Sequence, residues 1–289
     1  MLKQLFFIDT WTFAYANDFN GFSNIENCRW KIIKPRLFHS MADPSITQTN
    51  TTEDKLDIIY ENINFFTGKG SIKDGEIKLT KNRFQSKGNI INNRFHTSFP
   101  NIFKVQDSEY LIYENEEASS LGIVEKNTFS NINIEGEFLD PVILSINSDN
   151  YLISSYRNFE NNLKFKVYEI SNNFDIKESD REYIHNANSV RNAGKIIYLE
   201  NCIFRPGQNT LGRYGSYLII NKLSIEDKRI IETEYKVIKP NLIDKNANGT
   251  HNISVNENFV IVDLRYSKFF ILAFVIKLIR LGRKYSNLN

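Results

Sequence analysis

Two aspartates stand in the same local setting, Ala42-Asp43-Pro44-Ser45 and Leu139-Asp140-Pro141-Val142. Glu114 closes the run Tyr110-Leu111-Ile112-Tyr113-Glu114, and His96 and His251 each adjoin a threonine just ahead of an apolar run. Arg191 and Arg205 flank the strand-like KIIYLENCIF, with Gln208 shortly after the second arginine. Carboxylates gathered in one cleft serve general acid–base chemistry on hydroxyls. Arginine holds phosphate or carboxylate in fixed geometry, and histidine or glutamine orients hydroxyls. Each residue also has a structural role open to it. An Asx-Pro pair starts turns, a histidine at a strand start bridges neighbouring segments, and Arg191 could form an ion pair with Asp140 or Glu114.

These residues act together only if the fold brings them together. A weak motif recurs from Ala42, Ser98, Leu139, Val190 and Gly249: a turn with Asp, Pro or Gly, an apolar strand, a polar turn, then a second strand. The spacing is about 40–60 residues, the length of a four-stranded propeller blade. The 22 Phe and 14 Tyr favour strands, and LGIVEK, KFKVYEIS, YGSYLIINKLS and TEYKVIKP supply short strands between the signatures. The reading is an all-β fold, a five-bladed β-propeller over residues 1–266, followed by a basic amphipathic helix over 267–289. A β-sandwich with similar turn spacing is the alternative. The segments LFFIDTWTFAYA and RWKIIKP are expected to close the ring and start the first blade. Propeller geometry sends the start of each repeat to one mouth of a central funnel, so Asp43, the stretch 96–100, Asp140, Arg191 and His251 should converge there.

The net charge of +2 hides an asymmetry: from Arg265 onward there are six basic residues and no acidic one. The body is therefore mildly acidic, with no basic stripe for nucleic acid. Cys28 and Cys202 give neither a disulfide framework nor metal spacing, so no metal or other cofactor is expected. The first residues, MLKQLFFIDTWTF, read as a strand rather than a signal peptide, which implies a cytoplasmic protein. The apolar run from Phe269 to Ile276, containing Phe270, Leu272, Phe274 and Val275, is far too short to span a bilayer. On a helix, Ala273, Lys277, Arg280 and Lys284 share one face, with Arg283 nearby and apolar residues around the rest. That pattern predicts an interfacial anchor on the anionic inner leaflet of the cell membrane. A helix packed on the propeller or a partner subunit is the other reading.

The stretches MADPSI, HTSFPNIF, YENEEASSLGIVE, FLDPVIL, VRNAGKIIYLENCIFRPGQN, RYGSYLIINKLS and GTHNIS come in the order of one known family. They resemble the five-bladed propeller domain named after the N-terminal part of glucosamine inositolphosphorylceramide transferase, over roughly residues 30–265. There is a more distant similarity to the furanosidase and arabinanase propellers. The resemblance implies a sugar-handling propeller, with bacterial stand-alone members in surface polysaccharide assembly. By likeness to the hydrolases, Asp43 takes the place of a base and Asp140 that of an orienting carboxylate, while Arg191 stands where a glutamic acid would protonate the leaving group. Glu114 matches a recurrent family glutamate.

Without that acid, hydrolysis is disfavoured. The first expectation is a glycosyltransferase that uses a phosphorylated sugar donor and a carbohydrate or lipid-linked acceptor. In it Asp43 is the base, Glu114 and Asp140 position the sugar, Arg191 and Arg205 clamp the phosphate, and Gln208, His96 and His251 contact substrate. A non-catalytic carbohydrate-binding propeller serving a partner transferase is second, and a furanoside hydrolase third.

Overall fold

The computed structural model describes residues 6–286 apart from 35–37, 51–53, 92–94, 106–107, 116–117, 127, 129, 148 and 212; the side chains of His39, Asn50 and residues 283–286 are also outside the description. Five sheets, antiparallel except at the outer edge of the fourth, form five blades around one axis. Blade 1 contains strands His39–Asn50, Lys55–Asn64, Gly70–Lys78 and Arg83–Asn89. Blade 2 contains Thr97–Val105, Ser108–Asn115, Ser120–Glu125 and Asn131–Glu135. Blade 3 contains Leu139–Ile146, Asp149–Arg157, Leu163–Ile170 and Ile176–Glu178.

Blade 4 has a broken inner strand, Arg191–Asn192 and Ile197–Leu199, against Cys202–Gln208. Leu218–Glu226 and Arg229–Ile238 follow, and Glu182–Ile184 pairs in parallel at the outer edge. Blade 5 joins the two ends of the chain. Ile253–Asn256 and Phe259–Phe269 are inner, and Phe7–Ala16 with Lys31–Ile32 are outer, with Phe7 opposite Phe269 and Ala16 opposite Val260. The N-terminal strands thus close the ring as expected, but by completing blade 5 rather than by starting blade 1. Pairing the two ends removes the sheet edge that each would leave alone.

Both faces of each blade are covered by its neighbours, which explains the strand sequences. In Lys55–Asn64, Leu56, Ile58 and Tyr60 join the cluster shared with blade 5, while Ile59 joins the one shared with blade 2. Side chains two apart point the same way on a strand, so a strand buried on both faces reads as a continuous apolar run. Five such clusters, one per junction, make up the core.

The inner strands of blades 1, 2 and 3 open alike. Each has a β-bulge, after Ala42, Ser98 and Leu139, and the next residue is left-handed: Asp43 at φ 49°, Phe99 at 53° and Asp140 at 48°. Each is followed by a proline, which has no N–H to give to a ladder and is tolerated at a bulge. Left-handed backbone at a non-glycine residue stores about 1–3 kcal/mol. Three blades repeat that strain at the same end of the axis.

The helix α1, Ala273–Ser286, follows blade 5. Ala273 and Ile276 are buried against Ile8, Phe65 and Phe270. Arg280 donates from Nη2 to the Phe65 carbonyl at 2.5 Å and lies over the Phe65 ring. The face carrying Ala273, Lys277 and Arg280 therefore turns toward the propeller, not outward as a free basic stripe. Leu272, Phe274, Val275, Leu278, Ile279 and Leu281 remain exposed, and so do Phe269 and Ile271 before the helix. The side chains of Arg283 and Lys284 lie outside the described residues.

Candidate active site

In each blade the second strand sends one residue to the axis beside the start of the inner strand. Ala42 faces Glu61, Ser98 faces Glu114, Leu139 faces Ser155 and Arg191 faces Gln208. In blade 5 Asp263 takes this place, its N–H donating to the Asn252 carbonyl. Asp43, Glu61, Glu114, Asp140 and Asp263 are all buried.

These carboxylates are held mostly by groups from the next blade, Asp263 also by its own. Asp263 accepts the His251 and Asn252 N–H groups on Oδ1, at 2.9 and 3.0 Å, and that of Asp43 on Oδ2 at 3.3 Å. Asp43 accepts the Phe99 N–H at 3.2 Å, and Glu114 accepts the Asp140 N–H at 3.0 Å. Asp140 in turn accepts Arg191 Nε at 2.5 Å and Gln208 Nε2 at 3.2 Å. The left-handed turns aim these N–H groups across the junctions, so the strained positions and the carboxylates form one construction.

His251 pairs through Nδ1 with Asp263 Oδ2, lies 3.9 Å from Asp43 Oδ1, and stacks on Trp11 at 4.0 Å between ring centres. Burial works against its charge, but Asp263 and Asp43 outweigh it and raise its proton affinity. His96 bridges blades 1 and 2: its Nδ1 accepts the Gly70 N–H at 3.1 Å and its Nε2 faces Glu61 at 3.4 Å. Accepting at Nδ1 places the neutral ring's proton on Nε2, toward the carboxylate. A Cβ at position 70 would lie 1.9 Å from Glu61 Oε1, so glycine there makes room for that carboxyl.

Burial pushes the Asp43 carboxyl up to about 6; His251 opposes this, Asp263 and Asp140 add to it, and the Phe99 N–H opposes it. Burial, then Asp43 and Glu114, raise Glu61 well above the usual carboxylate range. One mouth of the channel thus brings together Glu61, raised well above the usual carboxylate range, and Asp43, raised to about 6, beside Glu114, Asp140 and Asp263, an arrangement suited to moving protons between hydroxyls. Tyr214 lies over this group, edge-on to His251 at 5.2 Å and 5.3 Å from the Arg191 guanidinium, and is half exposed as a residue.

Of the residues expected to meet, Asp43, Glu114, Asp140, Arg191, Gln208 and His251 do so, and His96 joins them through Glu61. Arg205 does not. Its side chain is 0% exposed and turned into blade 4, where Nε pairs with Glu232 Oε1 and Nη2 bonds Glu232 Oε2 and the Ser189 carbonyl, each at 2.9 Å. Arg205 and Gln208 are three apart on one strand and so face opposite ways; only Gln208 reaches the axis. The two-arginine clamp is replaced by one arginine already paired with Asp140.

Glu61 and Asp263 are the site residues that the sequence reading missed. Glu61 stands in IIYEN where Glu114 stands in LIYEN, a repeated signal, whereas Asp263 lies hidden in the apolar run VIVDL. Asp43, His251 and Asp263 each offer an atom within 4.8 Å of the others, close enough to hold a small cation in exchange for the ion pair, a grouping that their chain spacing conceals.

The raised proton affinity of Asp43 lets the folded state keep a proton that the unfolded chain has lost between about pH 4 and 6. Asp43 therefore lowers stability as pH rises through that window. Asp43→Asn is expected to remove that slope and to raise stability at pH 7 by about 1–3 kcal/mol, because Asn still accepts the Phe99 N–H. His251, whose stabilisation is present below about pH 6.5 and fades as pH rises through its raised folded value, should leave a residual decline at higher pH. Urea unfolding at pH 4.5, 6 and 7.5 checks both statements, and an unchanged slope below pH 6 in the variant contradicts the first.

Residues 37–261 match the family described as glucosamine inositolphosphorylceramide transferase 1, N-terminal. Glucosamine inositolphosphorylceramide transferase 1 of Oryza sativa subsp. indica is 21% identical over 249 residues, covering 78% of this chain and 32% of that protein, and the protein of subsp. japonica gives the same figures. The chain spans about a third of the length of these relatives. Among solved structures, a thermostable family-43 glycoside hydrolase is similar with a TM-score of 0.55 at 11% identity, over 79% of this chain and 89% of that one. A GH43 β-1,3-galactosidase gives 0.57 at 9% identity over 75% and 53% of the two chains. The exo-β-1,3-galactanase of Phanerochaete chrysosporium gives 0.56 at 16% over 72% and 54%. These structural likenesses show a shared propeller fold. The sequence match runs through four whole blades and into the fifth, and the chain belongs to the family of the N-terminal part of glucosamine inositolphosphorylceramide transferase 1.

Proposed function

We propose that the axial site binds an uncharged sugar through its hydroxyls, and that the propeller presents this sugar for transfer or processing in glycan or glycolipid synthesis. The observation that carries this is the composition of the site: five carboxyl groups against Arg191 and His251, with Arg191 paired to Asp140 and His251 to Asp263. A donor phosphate would meet excess negative charge there, with no unpaired guanidinium among the described site residues to receive it. Sugar hydroxyls, by contrast, donate well to carboxylates, and the ring of the half-exposed Tyr214 offers a face for a sugar's C–H surface. The relatives bear the name of a transferase and are about three times as long as the stretch matched, which supports a sugar-handling module working beside transfer chemistry supplied elsewhere.

A second reading, cleavage of a glycosidic bond, is favoured by Glu61. Its raised proton affinity beside Asp43 supplies a proton donor and an acceptor from blade 1 alone, although blade 4 brings Arg191 where the hydrolase pattern has an acid. Calorimetric titration with neutral oligosaccharides and with nucleotide sugars separates the readings. Binding of a neutral glycan that weakens at least tenfold in Glu114→Gln is expected, and release of reducing sugar that stops in Glu61→Gln would establish cleavage. Binding of nucleotide sugars alone, lost in Arg191→Ala, would overturn the neutral-sugar assignment.

The same reading places the propeller on a lipid surface. Strand Lys55–Asn64 passes Glu61 at the axis and continues to Phe65, against which α1 packs, so the helix sits at the mouth where the carboxylates collect. Its 14 residues extend about 21 Å, and the outward face from Leu272 to Leu281 is convex and apolar, suited to a bilayer interface rather than a groove. Because Arg280 is engaged by the propeller, apolar insertion rather than charge should dominate. Sedimentation with anionic vesicles is expected to persist in about 0.5 M salt, where charge attraction is screened, and to fall at least tenfold in Leu278→Asp/Ile279→Asp. Binding abolished by salt, or unchanged by the double substitution, would contradict this orientation.

A further inference from the structure

The channel has a second mouth. Beyond the carboxylates the inner strands of all five blades continue to the opposite end, where they line a cavity of about 670 Å³. Blade 1 contributes Thr47, blade 2 Asn101, blade 3 Ser145, blade 4 Lys195 and blade 5 Asn256. Its carboxylates are already engaged. Glu109 is shared by Lys104 at 3.5 Å and Lys126 at 3.0 Å, and Glu257 accepts the Thr49 hydroxyl at 3.4 Å. Lys195 differs: among the described residues it has no ion pair and no side-chain hydrogen bond, although it is partly buried where the inner strand of blade 4 is broken.

An ammonium group held away from water without a counter-ion is unfavourable unless something anionic joins it. Burial lowers the proton affinity of Lys195, and the charge of Glu109 only partly restores it. Lys104, the other lysine among the described lining residues, is paired with Glu109, so Lys195 is the cation left for an incoming anion.

We propose that this distal cavity binds a small anion, a sugar-sized molecule bearing a phosphate or carboxylate, with its charged group on the Lys195 ammonium and its hydroxyls among Thr47, Asn101 and Asn256. The site is separate from the carboxylate mouth, uses none of its residues and does not depend on what binds there. The charge that Arg191 and Arg205 do not offer at one end of the channel is supplied by a lysine at the other.

Thermal unfolding of the full chain at constant ionic strength, with inorganic phosphate, a hexose phosphate and a hexuronate as probes, tests this. At least one probe is expected to raise Tm by several degrees, with the hexose phosphate above inorganic phosphate if the cavity's size is used. The rise should vanish in Lys195→Met, persist in Lys195→Arg and be unaffected by Asp43→Asn. Lys195→Met alone should melt no lower than the wild type, because it removes an unpaired cation. Stabilisation that survives in Lys195→Met, or none from any probe, overturns the proposal. If that variant does not fold, the resonance of isotopically dimethylated Lys195 in the wild-type chain decides the matter: it must move on adding the stabilising probe, and a resonance that stays put overturns the proposal equally.

Discussion

The structure depends on one interaction repeated around an axis: a buried carboxylate that accepts a backbone N–H from the next blade. Asp263 receives Asp43, Asp43 receives Phe99 and Glu114 receives Asp140. A hydrogen bond to a charged acceptor contributes about 1.5–3 kcal/mol, whereas an ionised carboxylate buried without partners would be strongly unfavourable. The left-handed backbone at Asp43, Phe99 and Asp140 is the conformational expense of directing these donors inward. The apolar clusters between blades provide most of the burial, but burial is indifferent to rotation of one blade against another. The carboxylate bonds are not, and they fix how the five sheets meet.

Sharing donors in this way ties folding to chemistry. Each acidic side chain is partly satisfied by the fold, so it holds its position before any ligand arrives, a condition for strong electrostatic recognition. Burial first, and then like charges packed close by, raise the proton affinity of Asp43 and Glu61, and His251 and Arg191 offset part of the negative charge. The result is an acidic mouth covered by Tyr214, with an apolar helix beside it and a lysine-bearing cavity at the other end of the same channel.

Much of this was legible in the chain. The five repeats gave the blades, and the two Asp-Pro pairs marked bulges whose left-handed residues face the axis, because proline after a carboxylate is a local signal. What was not legible depends on facing and on partners distant in sequence. Arg205 looked like a ligand because its types and neighbours fit; only strand parity and the remote Glu232 reveal that it points into blade 4. Asp263 was concealed because a strand buried on both faces loses the alternation that marks an outlier. The helical wheel of α1 grouped Ala273, Lys277 and Arg280 but did not show that this side, joined by Ile276, would turn inward. That choice is made by Ile8 and Phe65, from opposite sides of the ring closure, together with the Phe65 carbonyl that takes up Arg280.

The most direct examination of this account is a crystal structure of the chain soaked with the neutral oligosaccharide that binds it most tightly. The account predicts a sugar ring beneath Tyr214, with hydroxyls within hydrogen-bonding distance of Asp43, Glu114 or Asp140 and the blade junctions unmoved. A sugar bound on an outer blade surface with the carboxylate mouth empty, or one that reaches the axis only by separating the Asp43–Phe99 and Glu114–Asp140 bonds, would contradict it.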